Sequence, residues 1–202
     1  MVENEWTAGT KNVLRKRKVA WGITGSGHRL TETVEIMKRI KEQYQRSVEI
    51  TVYLSKAGYQ VAKHYQLTSF LQENFESIQV EVDSNTPFLA GALQVGTFDF
   101  LLIAPATSNT VAKIAIGIAD SLLSNSASMA LKAFVPVYIQ PSDYKEGTTV
   151  TNLPRGRELR LRMRREDVAH TKKLATMDGV SVLEEPEEFY QVFKNHFRPQ
   201  EN

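Results

Sequence analysis

The chain has 202 residues, 42% apolar and 24% charged, with a formal net charge of +2. One globular domain with a real core is the expectation, and so small a charge argues against nucleic acid or a membrane surface as partner. With no cysteine, it can hold no disulfide, iron–sulfur cluster, thiolate zinc site or cysteine nucleophile, which fits a cytoplasmic protein. Residues 1–17 lack an apolar core for a secretory signal and read as a flexible extension, with the basic "RKRK" at 15–18 as a solvated lead-in to the first strand. Residues 18–197 read as a single domain whose apolar runs all fall short of the roughly 20 residues of a membrane span.

In chain order, "KVAWGI" (18–23) predicts a buried strand, with Trp21 inside it as a core residue. A helix follows from about Thr31, its Val34, Met37, Ile40 and Tyr44 on one face. "VEITVYLS" (48–55) is a second strand, then short helices over 57–65 and 67–74, and "SIQVEV" (77–82) a third strand. His64 is expected to pack on a helix surface. "FDFLLIAP" (98–105) is a strongly apolar strand, followed by helices over 108–116 and 119–132 and a strand "FVPVYIQP" (134–141). Residues 142–157 read as a loop, and "ELRLRMR" (158–164) as a half-exposed edge strand. Asp167 is the expected N-cap of a helix over 168–177 closed by Gly179, and "VSVLE" (180–184) is the last strand. A final helix starts near Pro186. Strands alternating with helices predict an α/β, Rossmann-like three-layer fold around a parallel sheet.

In such a sheet, ligands bind beyond the carboxyl ends of the strands. Thr24, Gly25, Ser26, Gly27 and His28 stand after the first strand: glycines for close backbone approach, hydroxyl donors, and the positive end of a helix. The stretch is neither G-x-G-x-x-G nor a P-loop, so a mononucleotide phosphate site and a plain tight turn both remain open. Ser55, after the second strand, is either an anion ligand or a helix cap. After the fourth strand stand Pro105, Ala106, Thr107, Ser108, Asn109 and Thr110, four of them consecutive hydrogen-bonding side chains where one cap would suffice. That favours a polar ligand. His28 is a phosphate donor or a solvent-facing residue; Tyr144 is a cover over the site or a free loop aromatic. No metal-ligand motif and no hydrolase triad is present.

"ITGSG" (23–27), "YLSKAG" (53–58), "PATSNT" (105–110) and "GIADSLL" (117–123), in this order and spacing, resemble the flavoprotein family of homo-oligomeric flavin-containing cysteine decarboxylases, which also holds flavin prenyltransferases and a dipicolinate synthase subunit. The resemblance implies a flavodoxin-like fold and FMN, with Gly25, Ser26 and Gly27 on the phosphate, Ser55 and Ser142 nearby, and Thr107 to Thr110 closing the site. It further implies a homotrimer or a higher multiple, with Asp120 acting across a subunit interface or serving as a local cap. The histidine that cysteine decarboxylases carry ahead of the "PATSNT" position falls at Gly91, and their substrate clamp is replaced by "QPSDYKEGTT" (140–149). Ser142 stands where prenyltransferases carry an arginine. The tail from Leu153 to Phe189 is similar instead to the archaeoflavoproteins and dihydromethanopterin reductases. An FMN-dependent oxidoreductase is therefore expected, moving electrons from a ferredoxin-like donor or reduced flavin to a dihydropterin-like acceptor. A flavin prenyltransferase, a decarboxylase and a non-catalytic synthase subunit are the alternatives. Six arginines, at 155, 157, 160, 162, 164 and 165, form a solvated edge, a docking face for an acidic donor or a site for an anionic substrate.

Overall fold

The computed structural model describes residues 16–153 and 156–197; the N-terminal extension through residue 15, and Arg155 of the arginine cluster, lie outside them. The first half of the chain forms β1 (Arg17–Ile23), α1 (Leu30–Tyr44), β2 (Val48–Leu54), α2 (Lys56–His64), α3 (Thr68–Asn74), β3 (Ser77–Val80) and α4 (Leu89–Gln94). The second half forms β4 (Phe100–Ala106), α5 (Ser108–Ile116), α6 (Leu122–Lys132), β5 (Val137–Pro141), β6 (Gly147–Asn152), β7 (Glu158–Met163), α7 (Arg165–Leu174), β8 (Val180–Val182) and α8 (Glu188–His196).

Six strands form a parallel sheet in the order β3-β2-β1-β4-β5-β8. Its central strands are apolar almost throughout because both faces are covered. Val19, Trp21 and Ile23 point to a layer built from α1, α2, α3 and α8, together with Phe100 and Leu102 of β4. Ala20, Leu101 and Ile103 point the other way, into a second core with α4, α5, α6 and Leu174 of α7. Trp21 is fully buried, and its indole N–H donates to Ala104 O at 2.8 Å, so the largest core side chain leaves no polar group unpaired.

The order of strands places a switch point between β1 and β4: from β1 the chain builds outward through β2 to β3, and from β4 outward through β5 to β8. The loops after β1 and β4 therefore leave the sheet in opposite directions and open a crevice between them.

Several boundaries differ from the sequence reading. Residues 142–157 are not all loop: 147–152 form β6, which pairs antiparallel with β7. β7 is consequently no edge of the main sheet but half of a separate two-stranded ribbon. The threonines and glycine of β6 read as turn residues, and only pairing with the alternating strand beside them makes a strand. Arg164, not Asp167, occupies the N-cap of α7; Asp167 is buried in the first turn and accepts from Arg164 Nε and Nη2, both at 2.7 Å. α6 starts at Leu122 rather than 119, capped by Ser121, whose hydroxyl and that of Ser124 form a reciprocal box. α4 was not expected, its six residues being too short for a helical period to register. Among the described residues no helix is long and apolar enough to cross a membrane.

Candidate functional site

The crevice is organised around Thr24, the first residue beyond β1. Its backbone N–H and its hydroxyl both donate to Pro105 O, at 3.2 and 2.8 Å, and its Oγ1 accepts the N–H of Thr107 at 2.8 Å. One buried threonine thus joins the ends of β1 and β4. Thr107 is then the N-cap of α5, its Oγ1 accepting from Thr110 N–H at 3.3 Å and lying 3.1 Å from Thr110 Oγ1.

The loop after β5 joins the same cluster. Ser142 N–H donates to Ala106 O at 2.8 Å, while its Oγ lies 2.5 Å from Ser26 Oγ and 3.0 Å from Ala106 O. Ser26 Oγ accepts from His28 N–H at 3.2 Å. Ser108 donates its hydroxyl to the Asp143 carboxylate, and Asp143 O accepts from Thr171 of α7 at 3.0 Å. On the far side Ser55 caps α2, accepting from Gly58 N–H at 2.9 Å. Of its two readings, the cap is the one the geometry displays. Glu81, just past β3, accepts from the N–H groups of Lys56 at 2.9 Å and Leu122 at 2.8 Å, pinning the starts of α2 and α6 together.

Two glycines are dictated by proximity. A β-carbon on Gly25 would lie 2.7 Å from that of Ala57, and one on Gly58 would run into Ile23 O. The loop after β1 and the first turn of α2 are therefore packed backbone against backbone.

These segments enclose a cavity of about 370 Å³, within the range of small-molecule sites. Gly25, Ser26, Gly27 and His28 line it from the β1 loop, Thr107 and Ser108 from α5, and Ser142 and Asp143 from the β5 loop. Val61, His64 and Tyr65 form the α2 wall, and Thr149, Leu153, Leu159 and Leu161 close it from the β6–β7 ribbon. Among the described residues the N–H groups of Gly25, Ser26 and Gly27 make no hydrogen bond. Unpaired N–H groups at the positive end of α1, beside buried hydroxyls, suit a phosphate; the leucine and tyrosine wall suits a flat apolar ring system. The residues present therefore fit a phosphorylated flavin.

Not every sequence candidate lines this cavity. Thr24, Pro105, Ala106 and Thr110 are buried behind it, and Asn109 is exposed on α5 outside the lining. Asp120 is also exposed, its carboxylate 2.8 Å from Lys113 Nζ. His64 is exposed on the surface of α2, as expected, and also lines the site, while Tyr144 donates its hydroxyl to Glu185 at 3.1 Å and does not line it. The sequence reading missed Val61, Tyr65, Asp143, Thr149, Leu153, Leu159 and Leu161. The alternation Leu159-Arg160-Leu161-Arg162 carried a usable signal, because a strand with one apolar side needs something to cover.

Burial holds the His28 imidazole below the usual 6.5, and the neighbouring Arg29 guanidinium pushes the same way against Asp143 and Glu32. His196 is also lowered by burial, against the attraction of Asp99 and with the help of Arg17; its Nε2 lies 2.8 Å from Tyr138 Oη on the opposite side of the molecule.

A family model described as Flavoprotein matches residues 8–190. An uncharacterised protein of Methanocaldococcus jannaschii is 49% identical over 179 residues, covering 89% of this chain and 95% of the relative. A second protein of that organism, named dihydromethanopterin reductase (acceptor), is 31% identical over 236 residues, covering 87% and 95% respectively. Among solved structures, Burkholderia xenovorans DmrB in complex with FMN, described as a cubic protein cage for redox transfer, matches with a TM-score of 0.77. It is 26% identical, over 91% of this chain and 96% of that one.

The two lowered histidines have a consequence for stability. The unfolded chain binds more protons between the folded-state values and 6.5, so the stability they contribute is present above 6.5 and lost as the pH falls. NMR titration is expected to give both rings midpoints below 6.5, with His28→Gln removing one share of the acid-side loss; a His28 midpoint at or above 6.5 would contradict the burial.

Proposed function

The chain belongs to the Flavoprotein family, and on that premise we propose that it is an FMN-dependent oxidoreductase passing electrons from a protein donor to a small dihydropterin-like acceptor. One observation carries the reading: three residues whose N–H groups are unpartnered among the described residues and a set of leucines line the same cavity at the switch point of the sheet. The dihydropterin class follows the relative named dihydromethanopterin reductase, and FMN follows the family and the DmrB complex.

When bound, FMN supplies the electron and hydride chemistry, so the chain needs to hold it, shape the space beside it and control water. The N–H groups of Gly25, Ser26 and Gly27 would take the phosphate, with the N-terminus of α1 adding its partial positive charge. Thr107, Ser108 and Ser142 offer hydroxyls beside it, and Ser55 buttresses the loop as the cap of α2. Leu153, Leu159, Leu161 and Tyr65 exclude water from the ring. His28 lines the cavity as a group able to hold or release a proton. A flavin prenyltransferase would need a cation for a dimethylallyl phosphate, and the position the sequence resemblance marks for one holds Ser142, already hydrogen-bonded to its neighbours.

The same ribbon offers a docking face. Alternation along β7 sends Arg160 and Arg162 away from the side that carries Leu159 and Leu161. Arg157, Arg160, Arg162 and Arg165 are exposed, and none takes part in an ion pair among the described residues; Arg164 is held by Asp167. A ferredoxin-like or other acidic donor docked there would be separated from the cavity by the thickness of one ribbon.

Association of copies is part of the reading. Phe134, at the end of α6, is 96% exposed, and Val95, at the end of the adjoining α4, is 79% exposed; Phe88, Ile116 and Ile118 are also uncovered. Exposed apolar side chains on adjoining helices suit an interface between copies, and the DmrB relative is described as a cage. A second copy of this chain is the proposed cover.

Purified protein is expected to be yellow and to release a molecule with the mass of FMN, and Ser26→Leu to lose it while remaining folded. A colourless wild type that takes up no FMN rejects the assignment, and conversion of dimethylallyl phosphate to a modified flavin would replace it with prenyl transfer. Arg160→Glu combined with Arg162→Glu should slow reduction by an acidic protein donor, most of all at low ionic strength, and leave reduction by dithionite unchanged. Equal slowing by both reductants would place the damage in the cofactor site. Light scattering at micromolar concentration should return a mass of at least three chains; a monomer would reject the interface.

A further inference from the structure

In the loop between β1 and α1, Arg29 is the residue with a left-handed backbone, at φ 52° and ψ 18°. A side chain with a β-carbon is disfavoured there, and arginine lacks the short polar group with which Asn or Asp offsets the strain. The residue also stands at the N-cap of α1 without any side-chain cap hydrogen bond. Helix initiation nonetheless runs through it: Thr33 N–H donates to Arg29 O at 2.8 Å, and Leu30 N–H to Gly27 O at 3.3 Å.

What holds Arg29 comes from elsewhere in the chain. Glu32 accepts from its Nε at 2.7 Å and its Nη2 at 3.0 Å. Glu185 pairs with Nη1, and Glu187 lies 3.8 Å from Nη2. Glu185 also accepts from the Tyr144 hydroxyl, and Glu184 lies 2.8 Å from Lys145 Nζ. The short segment between β8 and α8 therefore grips both the loop after β1 and the loop after β5, the two that bring Ser26 and Ser142 into contact.

The clamp has two effects on the anion end of the cavity. With three carboxylates around it, Arg29 is not a free cation for a ligand, so an anion there meets N–H groups and hydroxyls. The backbone turn at Arg29, at the N-cap of α1, sets how the loop that carries Gly25, Ser26 and Gly27 enters the helix.

We propose that Arg29 is a positioning residue: the carboxylates of Glu32, Glu185 and Glu187 hold its left-handed backbone, and this aims the N–H groups of Gly25, Ser26 and Gly27 at a phosphate-bearing ligand. The identity of that ligand as FMN rests on the function proposed above; the clamp does not. A residue with no β-carbon adopts this conformation freely, which separates the backbone role from any direct contact by the guanidinium.

The test is titration of apoprotein with FMN, followed by flavin fluorescence, alongside NMR shifts of the loop amides on addition of inorganic phosphate and a thermal melt of each variant. Arg29→Ala should weaken FMN by about tenfold, whereas Arg29→Gly should stay close to wild type. Glu185→Gln with Glu187→Gln should weaken FMN in the wild-type background and have little further effect on Arg29→Gly. The proposal is overturned if Arg29→Ala binds like wild type, or if Arg29→Gly is as weak as Arg29→Ala, which would make the guanidinium a ligand. A wild type that ignores FMN, yet whose loop amides respond to phosphate in this order of variants, overturns the cofactor and keeps the clamp. Response to neither overturns both.

Discussion

A single hydroxyl organises the functional end of this molecule. Thr24 Oγ1 donates to Pro105 O and accepts from Thr107 N–H, and it does so where the two halves of the sheet diverge. A parallel sheet that winds in both directions necessarily leaves a gap between its two central strand ends. The buried polar groups in that gap need partners, since an unpaired one costs about 1–3 kcal/mol. Thr24 makes three hydrogen bonds there, two to Pro105 O and one from Thr107 N–H, and holds the gap at a fixed width. The contacts of Ser142 with Ser26 and of Ser108 with Asp143 are built on that spacing.

The cavity is chemically divided because its walls come from different kinds of segment. Loops that end parallel strands arrive with free N–H groups and hydroxyls, and helix starts add their dipole. The opposite wall comes from a ribbon that hydrogen-bonds to no strand of the main sheet. Its pleat separates leucines from arginines residue by residue, so one pair of strands can shield an apolar ligand and present a cationic surface outward. The leucine wall and the outward arginines are consequences of the same alternation.

Much of this was legible in the sequence. "KVAWGI" and "FDFLLIAP" announce strands buried on both faces, and Trp21 within the first reads as core rather than as a ring stacked on a flavin. Ser55, open between ligand and cap, and Thr107, favoured as a ligand residue, both prove to be N-caps, because capping is local chemistry between residues three apart. The reading failed where pairing is distant or competition is local. "GTTVTN" carries no strand signal of its own, and it becomes one through Leu161 and its neighbours. Asp167 looked like a cap and is instead a buried acceptor, because Arg164 reaches it first.

By itself, then, the sequence determined the six strands of the main sheet and most of the helices that cover it, that the sheet is parallel, and that glycine and hydroxyl residues gather at strand ends. These follow from periodicity and capping, which act over a few residues. Only the tertiary structure decided that Thr24 ties the ends of β1 and β4 together, that Leu159 and Leu161 form a wall, and that Arg29 is held by Glu185. Each of those contacts joins residues far apart in the chain, and no local pattern encodes which distant partner will close the geometry.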